Sequence, residues 1–422
     1  MIVNIPFGSG RVPLDLRGLR VRALRPAAPA GSSNPGGLVG EALANPLDGS
    51  PLAERARGRR TATVVVPDAT RKAALPSVLP EIIRNLRRGG IEEERITILV
   101  ACGTHPGVGG DAVGRLLGPL PSGVQVLEHD SRAAENLVVA GELRPGILLR
   151  LHRAALDCDL LVTVGSVRHH YFAGFGGGPK MIFPGVGGYD EIQANHALVL
   201  RVIDGEPERH PGCEPGILDG NPVASEITRA ADLRPPDCAL CLVEGCDGGI
   251  AWAGAGTWRV AFGAAVERVR SWYEIHSPPP FDLMIAGGGG APTDTTLIQA
   301  HKALDAASRF LAPGGELLFL ASLDGGAGSP EMTPFLEDPS THAILARLAR
   351  GWVQYGHTTL RIVEKTRKYH VRLHSRLDPS LGSALGFDPT PNPEAVLESW
   401  RRRQPGASVG VMAQGPVFPS PP

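Results

Sequence analysis

Two adjacent histidines, a lysine in a bed of glycine and a third histidine mark residues 165–196. The stretch GSVRHHYFAGFGGGPKMIFPGVGG (165–188) carries His169, His170 and Lys180, and His196 follows in DEIQANHALVL. A lysine placed after glycines and before an apolar MIF run loses water. That lowers the pKa of its amine and suits it to act as a nucleophile or covalent anchor. Gly176, Gly177 and Gly178 would let backbone come close to a cofactor with amides aimed inward, although a tight turn explains them equally well. The segment is not a P-loop, because the four-residue spacer and the following Ser/Thr are missing. Imidazoles on either side can move protons near neutral pH or hold a metal.

Three further sets could join this one. PDATR sets Asp68 and Arg71 three residues apart. A helix starting near Thr70 would add its first amides to Arg71 and favour an anion; a surface ion pair is the plainer reading. GTH puts His105 in a glycine-flanked loop. QAHK places Gln299 and Lys302 at i and i+3, on one helix face. The upstream GGGGAPTD opens that helix to close approach, with Asp294 and the Thr295–Thr296 pair as candidate caps. Cys238, Cys241 and Cys246 in DCALCLVEGCDGG have no second Cys/His pair at ligand spacing, so they read as buried strand thiols and not as a zinc site.

The elements that must position these residues alternate. Strands are expected at TATVVV (61–66), RITILVA (95–101), VQVLEH (124–129) and LDCDLLVTVG (156–165), with a helix over ALPSVLPEIIRNLRRGG between the first two. After the proline-rich YEIHSPPPFD, the pattern resumes. FDLMIAGGGG is a strand, 294–311 a helix, 314–322 and 370–375 strands and 393–403 a helix. The fold class is therefore α/β, with two α/β domains, largely parallel sheets and an active site in the cleft between them. The divisions expected are 1–272, a linker at 273–281, a second domain at 282–404 and an unordered tail at 405–422. Residues 27–37 read as a mobile surface loop. Asp68, Arg71, His105, His170, Lys180, Gln299 and Lys302 all follow strand ends, where open α/β sheets bind ligands.

Bulk properties exclude other classes. A chain of 422 residues supports two cores, and a net charge of −1 gives no field for nucleic acid or an anionic membrane. ERARGRR (54–60) reads as a solvated helix end. Neither a signal peptide nor a membrane-length apolar run is present, and six cysteines lack disulfide-framework spacing. A soluble, cytoplasmic protein without membrane or nucleic-acid partners is expected.

Taken together and in order, ANPLDGSPL, PDATR, GTH, HYFAGFGGGPKMIFPGV, NH and QAHKAL resemble the lactate racemase family, nickel-pincer-nucleotide racemases and epimerases of 2-hydroxy acids. The resemblance covers nearly the whole chain. It implies that Lys180 holds the cofactor covalently, through a thioamide. The cofactor implied is pyridinium-3,5-dithiocarboxylic acid mononucleotide nickel, with cofactor-maturation proteins as partners. His196 would supply nickel's fourth ligand. His105 and His170 would be the acid/base pair, and Arg71, Gln299 and Lys302 would bind substrate. Asp68 would lie near the cofactor and His105; His169 has no counterpart role.

The chemistry implied is coherent. The α C–H of a 2-hydroxy acid is barely acidic, so hydride leaves to a pyridinium carbon while a histidine takes the hydroxyl proton. Return to the other face inverts C2, and two histidines serve the two enantiomers. Ile298 stands where lactate-type members carry an aromatic residue. Thr295, Thr296, His301 and Asp294 surround the helix, and Trp352, Tyr355 and His357 add to the wall. That polarity favours a polyhydroxylated, gluconate-like acid over lactate. Two alternatives stay open: a pyridoxal phosphate enzyme with Lys180 as its Schiff base, and a non-catalytic nucleotide-binding protein.

Overall fold

The computed structural model describes residues 1–71 and 73–420. The chain divides into an N-proximal unit, Ala28–Val199 with His210–Ser271, and a C-proximal unit, Met1–Ala27 with Leu200–Arg209 and Trp272–Pro422.

The N-proximal unit is built on six strands in the order Ile250–Gly256, Cys238–Glu244, Leu160–Ser166, Ala62–Pro67, Ile96–Ala101, Gln125–Glu128. All neighbours are parallel except Ile250–Gly256, which runs antiparallel to Cys238–Glu244. Ala62–Pro67 and Leu160–Ser166 are buried throughout, as continuous β-branched runs in a covered parallel sheet should be. Val78, Leu79, Ile82 and Leu86 of the helix Leu75–Arg88 pack with Val64, Val66 and Ile98. From Ala62–Pro67 the chain adds two strands on one side, then returns to add Leu160–Ser166 on the other. The order reverses between those two central strands, and a ligand crevice forms at such a switch point.

The C-proximal unit has six parallel strands in the order Asp388–Pro389, His370–His374, Leu311–Leu320, Phe281–Gly287, Ser408–Met412, Arg20–Ala23. Period-2 alternation sorts Phe281–Gly287 onto two cores: Met284 and Ala286 pack with Leu304, Phe319 and Leu360, whereas Leu283 and Ile285 pack with Ile5, Leu14, Leu397 and Trp400.

These units differ from the contiguous division expected at 272. Residues 1–27 belong to the C-proximal unit because Arg20–Ala23 pairs with Ser408–Met412. The same pairing corrects the unordered tail, since SVGVM is an interior strand. Glu274–Ile275, inside the expected linker, pairs with Phe418–Pro419. The expected loop at 27–37 already contains a helix start. Asn34 caps Pro35–Ala44 by accepting from Gly37 N–H at 2.9 Å, with Pro35 in the first turn. Among the described residues, no helix is long and apolar enough to cross a membrane.

Candidate active site

At the carboxyl end of Ala62–Pro67 the chain does not enter a helix at Thr70. The Asp68 carboxylate captures Thr70 instead, accepting its amide at 3.2 Å and its hydroxyl at 2.7 Å, and Arg71 N–H bonds the Asp68 carbonyl at 3.1 Å. This side-chain turn competes with helix and delays it to Leu75, so no helix amides reach an anion beside Arg71.

The other Asp68 oxygen accepts from His105 Nδ1–H at 2.7 Å. His105 stands in a tight turn after Ile96–Ala101, its amide bonded to the Cys102 carbonyl. A carboxylate on Nδ1 leaves the Nε2 lone pair as the base. Burial pushes the Asp68 carboxyl up, but His105, Thr70 and Arg71 outweigh it and hold it below its usual value.

The next strand, Leu160–Ser166, delivers the remaining groups. His169 and His170 pair with Gly174–Phe175 in a short hairpin. Ala173 N–H donates to His170 Nδ1 at 3.2 Å, so the neutral ring carries its proton on Nε2. His105 and His170 are thus held in opposite tautomers. His169 lies against Phe175, with ring centroids 5.0 Å apart.

Lys180 sits in the one-turn helix Gly178–Met181, packed against the end of that strand. Two of the three glycines before it have a steric reason. A Cβ on Gly177 would meet the Ser166 carbonyl oxygen at 2.6 Å, and one on Gly178 would meet the Phe262 ring at 2.2 Å. Both also adopt left-handed φ, +71° and +51°. Gly176 has room, its nearest neighbour being the Arg168 carbonyl at 3.8 Å. Burial, and then the Arg71 guanidinium, lower the Lys180 amine to about 7. Arg71 is itself drawn down to about 10 by burial and by Arg168.

His196 ends the helix Tyr189–His196 and is buried. Its Nδ1–H donates to the Ile192 carbonyl at 2.6 Å, which directs the lone pair to Nε2. Burial, then the charge of Lys180, push it down to about 3, so it stays a neutral donor. A neutral imidazole with a fixed tautomer is what a metal ligand requires.

Phe172, which the sequence reading passed over, sits at the centre of this group. Its ring lies 4.7 Å from His170, 5.1 Å from His196 and 5.9 Å from the Lys180 Nζ. The signal was the aromatic pair directly after His169–His170. The N-proximal unit therefore brings together Asp68, Arg71, His105, His170, Lys180 and His196. Cys238 and Cys241 are buried along their strand and Cys246 is exposed beyond it. Among the described residues, no three His, Cys, Asp or Glu side chains gather as a metal site.

In the C-proximal unit, Gln299 and Lys302 share one face of the helix Leu297–Ser308, and Lys302 Nζ donates to Gln299 Oε1 at 2.8 Å. Asp294 neither caps this helix nor faces a ligand. It is fully buried and accepts from Gly8 N–H at 2.8 Å and Ser322 N–H at 3.1 Å, stapling the turn between the paired strands Ile2–Phe7 and Gly10–Asp15 to the end of Leu311–Leu320. Thr296 occupies the N-cap position without using its hydroxyl as a cap, and Thr295 Oγ1 bonds the Pro292 carbonyl at 2.9 Å. His301 is buried, donates Nδ1–H to Ile298, and is lowered to about 4 by burial and Lys302. Trp352 and His357 pack ring to ring at 5.2 Å.

Residues 7–205 match the model of the lactate racemase N-terminal domain. The chain is thus similar to the lactate racemase family over those residues. A lactate racemase of Thermoanaerobacterium thermosaccharolyticum is 29% identical over 355 residues, 83% of this chain and 81% of that one. A lactate racemase of Lactiplantibacillus plantarum is 29% identical over 293 residues, 69% of this chain and 66% of the other. In structure, the lactate racemase apoprotein of T. thermosaccharolyticum superposes with a TM-score of 0.88 at 24% identity, covering 99% of both chains. A Thermotoga maritima protein gives 0.65 at 16% identity, over 91% of this chain and 97% of its own. The resemblance seen in the motifs therefore holds, and so does the α/β class with largely parallel sheets. Both of these curated relatives are racemases, which are isomerases.

Proposed function

We propose that the chain inverts C2 of a 2-hydroxy acid with a nickel-pincer nucleotide attached to Lys180. The observation that carries this reading is the pairing of a half-buried Lys180, its amine lowered to about 7, with a neutral, tautomer-fixed His196 in one unit. The uncharged form of the amine would bond an electrophilic cofactor arm, and the His196 Nε2 would offer nickel an imidazole donor. The residues therefore fit the group. When bound, it supplies a pyridinium carbon that accepts hydride and gives it back.

The chain's own residues do the rest. His105 Nε2, with Asp68 behind it, takes the hydroxyl proton as the C2 hydrogen departs. His170 Nε2–H would hydrogen-bond the oxygen on return, while the proton taken by His105 goes back to that oxygen directly or through solvent, leaving both rings neutral. Arg71, lying beside Lys180 in its electrostatic surroundings, binds the substrate carboxylate. Gln299 and Lys302 contribute further polar contacts to substrate, and Gly176 leaves space beside the cofactor. Thr296, whose hydroxyl is not spent on its helix, supports a polyhydroxylated acid of gluconate type over lactate. Asp294 adds nothing to that preference, because its oxygens serve the fold.

The test is protein co-expressed with the maturation system. Intact mass and nickel analysis should reveal an adduct on Lys180, and a screen of 2-hydroxy acids should reveal inversion at C2. A visible band erased by borohydride, with no nickel, would instead assign the same lysine to pyridoxal phosphate. Lactate racemising much faster than any sugar acid would remove the substrate preference.

A further inference from the structure

His129 follows the edge strand Gln125–Glu128 and is 1% exposed. Its backbone N–H bonds the Val100 carbonyl at 3.0 Å, on the strand whose end carries His105. Its Nε2–H donates to the Gly187 carbonyl at 2.8 Å. Two residues on, the Ser131 carbonyl accepts Tyr189 N–H at 2.9 Å, at the start of the helix that ends in His196. Segment 129–131 therefore grips the loop between Lys180 and His196 at two points.

That loop is also tied to Lys180 directly. Gly185 N–H bonds the Lys180 carbonyl at 3.0 Å, and the Gly185 carbonyl accepts Gly103 N–H at 2.9 Å. The loop has no slack: a Cβ on Gly185 would meet the Met181 carbonyl oxygen at 2.4 Å, and one on Gly187 would meet the Phe183 ring at 2.6 Å. His152 closes the imidazole's surroundings edge-on, at 5.7 Å between centroids.

The nitrogen opposite argues against a mere space-filling role. His129 Nδ1 is buried with no hydrogen-bond partner among the described residues. A buried acceptor without a donor is a cost that an apolar side chain of similar bulk would avoid. What the imidazole delivers in return is one directed donor, to Gly187. We propose that His129 is a positioning residue: its bond to the Gly187 carbonyl holds the 180–188 loop, and with it Lys180 and the helix bearing His196, in register with the His105 strand. It touches neither substrate nor cofactor. The proposal deepens the function proposed above, and its first readout needs neither cofactor nor turnover.

Two variants test it in the full chain. His129→Leu fills the space without a donor, and His129→Gln offers an amide N–H to the same carbonyl. Hydrogen exchange is followed over residues 183–196, with Ala62–Pro67 as internal reference. Expected for the leucine variant is exchange about tenfold faster across 183–196 with the reference strand unchanged, the effect of about one lost backbone-strength hydrogen bond. In matured enzyme its kcat should fall about tenfold with KM within about twofold, and the glutamine variant should recover both to within about threefold. Unaltered exchange over 183–196 in the leucine variant would overturn the proposal. So would equal impairment of both variants with faster exchange in the reference strand too, which would make His129 a core filler. If the leucine variant does not fold, His129→Phe carries the same comparison. Wild-type enzyme that turned over no 2-hydroxy acid would refute the proposed function but leave the exchange result to decide His129.

Discussion

The polar groups of the two units are held in different ways. In the N-proximal unit, Asp68, His105, His170 and Lys180 follow three strand ends and His196 closes a helix, and backbone or carboxylate partners fix each histidine's tautomer. Glycines that admit no Cβ clamp the lysine's loop. In the C-proximal unit, Gln299 and Lys302 stand on a single helix, half-buried, and bond to each other. The first arrangement suits chemistry that tolerates little displacement. The second suits contacts that adapt to the shape of a substrate.

Substitutions can break this contrast, and the largest effect belongs to the tether. Lys180→Ala should remove the mass increment of matured protein and lower turnover by about 10³-fold or more. His170→Asn should retain the adduct and lose about 10²–10⁴-fold in kcat, the range for a positioned acid or base. Gly178→Ala should destabilise the chain by about 3 kcal/mol in denaturant melts, through the Phe262 clash and the left-handed φ, whereas Gly176→Ala should stay within about 0.5 kcal/mol. Equal costs at those two positions would show that the glycine bed is not read correctly.

Acid compares the units through one buried ring in each. Burial, more than any other influence, lowers His129 and His301 to about 4 from an ordinary 6.5. Below pH 6.5 the unfolded chain binds protons that the folded chain refuses. Stability should therefore be full above pH 6.5, fall towards pH 4 and level off there, by at most about 3 kcal/mol per ring. Melts of His129→Gln and His301→Gln across that range should each flatten the fall. The smallest effect is expected on the helix: Lys302→Met should raise KM about tenfold with kcat within about twofold. A loss in kcat instead would mean that Lys302 is as tightly bound to the chemistry as the N-proximal groups.

Much of this was legible from short-range pattern. The runs 61–66, 95–101 and 156–165 are β-branched and apolar, and each became a central strand with a polar residue beyond its carboxyl end. Spacing alone placed Gln299 and Lys302 on one face. Pairing between distant segments was hidden: SVGVM carries no sign that its partner is Arg20–Ala23. Asp294 looked like a helix cap because local sequence cannot reveal Gly8 as its partner. Thr70 looked like a helix start because the competing Asp68 turn depends on which oxygen His105 leaves free. Gly177 and Gly178 invited a ligand, and their neighbours turned out to be Ser166 and Phe262.

The opposed tautomers of His105 and His170 carry one more consequence. Mirror-image substrates have identical free energies, so a racemase must show the same kcat/KM from either side. Two unlike imidazoles can then reveal themselves only as a compensated pair, faster turnover from one enantiomer matched by poorer saturation. Diastereomeric sugar acids differ in free energy, so their two kcat/KM values would stand in the ratio of the epimerisation equilibrium constant, which the acids set and the two rings cannot change.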